Sequence, residues 1–142
     1  MPIYTPIEVK LPIRQGSCDL VDVSWTQAGL AALFSISKLN DPEPKAVRVS
    51  FGRIVVMRIV DEMTYSLEER GKDVGIKREG FAYEVADSLF RKTLTDAPNT
   101  VFKNPKQYTF MSQNSCLEVI ASKPPVFELI DLRPWLRSMG IT

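Results

Sequence analysis

Histidine is absent from the 142 residues of this chain. That gap removes every nucleophile–base pair that depends on imidazole, Ser-His-Asp and Cys-His alike. It also removes zinc sites with imidazole ligands, the two-His-one-carboxylate iron site and haem held through His. Cysteine is scarce, with Cys18 and Cys116 the only two. A thiolate-only zinc site needs four cysteines, and two without CxxC spacing make no disulfide framework. Phosphate loops of the GxxxxGK[ST] or GxGxxG type are missing; Gly71, Gly75 and Gly80 sit among charges with no apolar helix after them. No apolar run approaches the roughly 20 residues that span a bilayer. The start, Met1-Pro2-Ile3-Tyr4-Thr5-Pro6, lacks the basic-then-apolar order of a secretory signal. An excess of one charge is lacking too, since 18 Lys and Arg face 17 Asp and Glu for a net +1. Such a balance supplies no field to steer the chain towards nucleic acid or an anionic membrane. These absences predict no catalytic residue, no metal, no cofactor, no nucleic-acid partner and no membrane contact, with reduced thiols in the cytoplasm.

What remains is the material of an ordinary globular protein, 44% apolar and 25% charged. The length suits one domain, 1–142, around one core. Its periodicity is mainly that of strands. Ile7, Val9 and Leu11 alternate with Glu8 and Lys10 before Pro12 stops the run. Leu20–Trp25 follows as a strand candidate; in Leu30–Ser37 a helix would put Leu30, Leu33, Phe34 and Ser37 on one face, but the alternation of Phe34–Ser37 favours a strand. Pro42 and Pro44 then force an exposed connection. Ala46–Phe51 alternates most cleanly of all. Gly52-Arg53 separates it from Ile54–Val60, whose unbroken apolar run predicts cover on both faces. Residues 66–80 read as a loop, Phe81–Val85 as a strand, and Asp87-Ser88 as the N-cap pair of a helix over Leu89–Leu94. Tyr108–Ser112 and Cys116–Ser122 flank a polar turn, Val126–Ile130 alternates again, and Pro134 and Gly140 bracket a final helix. The predicted class is α+β, predominantly β: a curled antiparallel sheet or small open barrel with two short helices.

Four side chains stand out as candidates for contact with a partner: Trp25, Arg58, Asp61 and Glu62. Arg58, Asp61 and Glu62 form the densest charged group beside an apolar strand. One reading is acid–base chemistry or capture of a cationic partner; the plainer one is a structural Arg58–Asp61 or Arg58–Glu62 pair. Neighbours on a strand point to opposite faces, so Asp61 and Glu62 converge only across a bulge. Cys116 reads as a small apolar core residue. The run Phe102–Tyr108 interleaves lysines with aromatics as base-stacking surfaces do, but Tyr108 and Phe110 also share one strand face, as core residues would.

Several fragments taken in order carry a family likeness. They are Trp25 with Gly29, Val49-x-Phe51 followed by Arg58-x-x-Asp61-Glu62, Asp87-Ser88 before a short helix, and Tyr108-x-Phe110 ahead of Cys116-Leu117-Glu118-Val119-Ile120-Ala121 and Pro124. This order resembles small bacterial immunity proteins encoded beside polymorphic or contact-dependent toxins, over roughly residues 25 to 125. The resemblance implies a cytoplasmic, non-catalytic protein that neutralises a cognate toxin domain by binding it. A homodimer is compatible with the same reading. Two alternatives stand beside it. One is a β-rich enzyme or small-ligand protein using Asp61, Glu62 or Glu118; the other is an accessory subunit of a phage or secretion system.

Overall fold

A computed structural model of the chain describes residues 2–38, 40–61, 74–77, 79–93 and 103–141. The strands are β1 (Ile3–Pro6), β2 (Asp19–Thr26), β3 (Gly29–Ser35), β4 (Lys45–Phe51), β5 (Ile54–Asp61), β6 (Ala82–Ala86), β7 (Lys106–Met111), β8 (Ser115–Ala121) and β9 (Val126–Asp131). The helices are α1 (Leu89–Lys92) and α2 (Arg133–Ser138). The class is the predicted one, α+β and predominantly β. The strands divide between two antiparallel sheets that do not close into a barrel. A five-stranded sheet runs β1-β6-β7-β8-β5, and a four-stranded one runs β2-β3-β4-β9.

The two sheets face each other across an aromatic core. Phe34, Val47, Val49 and Phe51 from the four-stranded sheet meet Tyr108, Phe110, Leu117 and Val119 from the other. Phe110 sits 6.2 Å from Phe34, 5.9 Å from Phe51 and 6.2 Å from Phe127, centroid to centroid. Alternation explains this assembly. Val47, Val49 and Phe51 occupy every second position of β4, so one face of that strand is apolar without interruption. Each such side chain, fully buried, contributes about 1.5–3 kcal/mol of transfer free energy.

β8 lies inside its sheet, and all seven of its residues are buried. β5, whose sequence predicts cover on both faces, is an edge strand instead, and Ile59 is 49% exposed. Its apolar run reflects partial cover rather than a central place. Ile7, Val9 and Leu11 are likewise not a strand: β1 ends at Pro6, and these residues pack half-buried against the core from an irregular segment. The loop expected over 66–80 lies mostly outside the described residues, as does Leu94 at the end of the first predicted helix.

The β2–β3 hairpin end rests on the β4–β5 turn. A Cβ on Gly29, whose φ is +135°, would lie 2.2 Å from the Phe51 carbonyl oxygen, so only glycine fits. At the other extreme of the four-stranded sheet, α2 covers its outer face with Leu132 and Leu136, against Leu33 and Ala46.

Candidate functional site

The outer face of the five-stranded sheet holds a buried charge. Glu118 projects there from the middle of β8 and is 0% exposed. Directly across the ladder on β5 stands Arg58, whose Nε donates to Glu118 Oε1 at 2.8 Å. The second carboxylate oxygen accepts from Gln107 Nε2 on β7 at 2.9 Å, and the same amide nitrogen donates to Thr109 Oγ1 at 3.0 Å. Ser88 donates its hydroxyl to Gln107 Oε1 and accepts the Arg91 N–H at 3.0 Å. Ser88 is the N-cap of α1, so the helix start is tied into the sheet's charge network. Phe90 of the same helix lies beneath the Arg58 guanidinium, 4.6 Å from carbon to ring centroid, a cation–π contact.

The alternation of β7 and β8 builds this arrangement. Gln107 and Thr109 share the outer face, while Tyr108 and Phe110 turn to the core. Both carboxylate oxygens are thus engaged by donors, as burial of a carboxylate requires. Chemically the network is a clamp. It fixes α1 over the sheet and holds the guanidinium and the carboxylate in one geometry.

Among the described residues, Trp25 lies apart from Arg58 and Asp61. Trp25, 51% exposed, lies at the β2–β3 hairpin end, beside Arg53 and Ile54 in a shallow depression. Arg58 is four residues further along β5, about 13 Å at strand rise, on the outer face. Asp61 is exposed at the far end of β5, and Glu62 lies outside the described residues. Arg58 bonds Glu118 across the sheet, a partner not drawn from the sequence, where an Arg58–Asp61 or Arg58–Glu62 pair was considered. A signal for it existed: Arg58 and Glu118 are the lone charges inside two apolar strands, and they have opposite sign.

The thiols sit in the core. Cys18 is 1% exposed, and burial, then the Asp19 charge, pushes its pKa up to about 12. It is a protonated, unreactive thiol at neutral pH. Cys116 is buried as well. Among the described residues, no three His, Cys, Asp or Glu side chains gather as metal ligands would, and no helix is long and apolar enough to cross a membrane.

A second feature lies at the sheet margins, β1 and β5 in the five-stranded sheet and β2 and β9 in the four-stranded one. β1 has its outer edge occupied by Val74, whose carbonyl accepts the Tyr4 N–H at 2.8 Å. β2 carries a register shift between Leu20 and Asp22, and Asn114 caps it, accepting the Leu20 N–H at 3.2 Å. β9 has neither protection. On the side away from β4, no backbone hydrogen bond reaches it from the described residues. Val126 is 65% exposed and Leu129 44%. Prolines precede this strand at 124 and 125, but none interrupts Val126–Asp131. Sequence reading identified β9 as a strand; its place at an open margin depends on its pairing with distant β4.

Comparison of the chain with protein families, curated proteins and solved structures finds no match.

Proposed function

We propose that this chain is a non-catalytic binding protein of the immunity type, which neutralises a cognate bacterial toxin domain in the cytoplasm by taking a strand of that domain onto β9. The observation carrying this reading is the open edge of β9. Alternate residues of an edge strand direct N–H and C=O groups outward, ready to extend the sheet. Strand addition draws affinity from those groups and specificity from side chains at every second position. Val126 and Leu129 supply exposed apolar contact, whereas Val74 occupies the margin at β1 and Asn114 caps β2. The Arg58–Glu118 clamp supports the same reading from the opposite side, because its polar groups are committed to holding α1. Trp25, at the far hairpin, would then serve only a partner large enough to reach around the sandwich end.

The test is co-expression with the C-terminal domain of a large secreted protein encoded directly upstream. The wild-type chain is expected to restore growth and to co-elute with that domain. Val126→Lys combined with Leu129→Lys is expected to abolish rescue, with a thermal melt matching that of the wild type to certify the fold, because Leu129 stands opposite core-facing Val47 although it is 44% exposed. Rescue undiminished by the two lysines would remove β9 from the interface. Dimers of the chain alone, broken by the same lysines, would assign the edge to a second copy instead.

A further inference from the structure

Two hydrogen bonds at the end of the four-stranded sheet fix which residues of β9 point their backbone groups outward. The Leu132 N–H donates to the Pro44 carbonyl at 2.9 Å, one step beyond the last β9–β4 pair, Asp131 with Lys45. On the other flank of β4, the Ile36 N–H donates to the Lys45 carbonyl at 3.1 Å. In an antiparallel ladder bonded and non-bonded pairs alternate, so each residue turns its N–H and C=O to one side. Lys45, Val47 and Val49 therefore bond towards β3, while Ala46, Arg48 and Ser50 bond to Ile130, Glu128 and Val126. Phe127, Leu129 and Asp131 are left with their N–H and C=O groups turned away from β4. None of the described residues bonds to those outward groups.

The side chains at this margin are sorted in the same way. Phe127 and Leu129 stand opposite Val49 and Val47, whose side chains lie in the core, so they continue the inward apolar row. That row ends at the margin, with Leu129 44% exposed. Glu128, between them, belongs to the outer face. Arg48 places Nε, at 3.1 Å, and a terminal guanidinium nitrogen on its Oε1, and Oε2 accepts from none of the described residues. Exposed as both side chains are, the pair adds little to the fold. What Glu128 brings to the edge is a carboxylate oxygen still open to a donor.

Resting on the reading of β9 as the partner-binding edge, we propose that its occupant is an antiparallel strand of defined pattern. That strand carries apolar residues opposite Phe127 and Leu129 and a lysine or arginine opposite Glu128. It exchanges backbone hydrogen bonds with Phe127, Leu129 and Asp131. Its apolar residues fall on the inward row and cover Leu129. Its cation falls on the outer face at a non-bonded pair, where opposed residues approach most closely, about 4.5 Å between Cα atoms. Arg48, Glu128 and the cation then form a cross-strand row of alternating charge, in which each neighbour attracts. The direction follows from the greater stability of antiparallel pairing per residue. Every pairing between the named strands is of that kind.

The experiment is amide hydrogen exchange read by NMR on the full chain, alone and with the peptide acetyl-Thr-Thr-Val-Lys-Val-Thr-amide. In the free chain the amides of Glu128 and Ile130 should exchange slowly and those of Phe127, Leu129 and Asp131 fast. The reverse order overturns the proposal. In the proposed register the peptide's lysine faces Glu128, and its valines face Leu129 and Phe127. At about 5 mM, a peptide with a dissociation constant of about 1 mM should slow Phe127, Leu129 and Asp131 about fivefold. Methylating the backbone nitrogen of the first valine, which points at Leu129, should abolish that slowing. Methylating the lysine nitrogen, which points away, should spare it; the opposite result overturns the proposal. Glutamate in place of the lysine should weaken binding at least about threefold, and Glu128→Gln should remove that preference. Equal binding of the two peptides by the wild type overturns the charge pairing. No slowing with any peptide overturns the proposal even where Val126→Lys with Leu129→Lys abolishes rescue, since β9 is then a contact surface without strand pairing. Slowing in the stated pattern, with rescue undiminished by the two lysines, upholds the strand chemistry and removes the toxin reading alone.

Discussion

β8 and β9 follow one another in the chain, are similarly apolar, and each carries a glutamate at its centre facing an arginine. Glu118 lies opposite Arg58, and Glu128 lies opposite Arg48. The two pairs share residue types and cross-strand placement, yet their surroundings diverge. The Glu118 side chain is 0% exposed and that of Arg58 28%; those of Glu128 and Arg48 are 55% and 41%. Position in the sheet makes the difference. β8 lies between β7 and β5 with α1 above it, so its carboxylate has lost its water and must be matched by protein donors. β9 has β4 on one side and an open margin on the other, so its carboxylate remains hydrated. The same pair of residues is therefore a structural necessity in one sheet and a surface ornament in the other.

Arg58→Ala gives the largest effect, because it takes the cationic donor from the buried Glu118 carboxylate and removes the cation above Phe90. Breaking one side of a buried pair costs about 3–5 kcal/mol, which denaturant melts will read as a lower midpoint. Replacing both partners, Arg58→Met with Glu118→Leu, should restore most of that loss, because neither charge is then left alone and Gln107 keeps Thr109 as an acceptor. The interaction between the two changes in a double-mutant cycle is the discriminating quantity. Strict additivity would show that Arg58 and Glu118 act independently and that the clamp does not exist.

Glu128→Ala repeats the deletion in the exposed pair and is expected to cost about 0.2–1 kcal/mol, falling further as salt is raised. A loss as large as that of Arg58→Ala would mean that exposure does not separate the two pairs.

That contrast also marks how far sequence reasoning reached. Local signals carried the strands: Ala46–Phe51 alternates, Asp87-Ser88 caps α1 through Ser88, and Pro134 enters the first turn of α2. These depend on neighbours a few residues apart, which a sequence displays. The buried clamp depends on Arg58, Ser88, Gln107 and Glu118, which come from four separate segments and meet only through the pairing of β5, β8 and β7. Proximity in sequence pointed Arg58 towards Asp61 and Glu62 and could not add Glu118, because the ladder was not yet known. The same limit applies to β5, read as central from its apolar run when its position in the strand order makes it an edge.

The smallest effect concerns Asp131, at the end of the exposed strand. Arg133 donates to it from Nε at 3.0 and 2.9 Å and from a terminal guanidinium nitrogen at 2.6 Å, and its backbone N–H does so at 3.0 Å. The guanidinium, then the backbone N–H, hold the carboxyl down to about 2, against 3.8 ordinarily. A carboxyl depressed by folding stabilises the native state above its unfolded pKa, and the benefit fades as pH falls through the folded one. Asp131→Asn should accordingly melt below the wild type at pH 6, with the gap closing between about pH 4 and pH 2. Because the Asp131 side chain lies at the surface, 34% exposed, the gap should also shrink with added salt, as charges in water are screened. A gap of constant size from pH 6 to about pH 2 would show that the loss does not come from the carboxylate's charge, since an amide can still accept the Arg133 N–H at any pH.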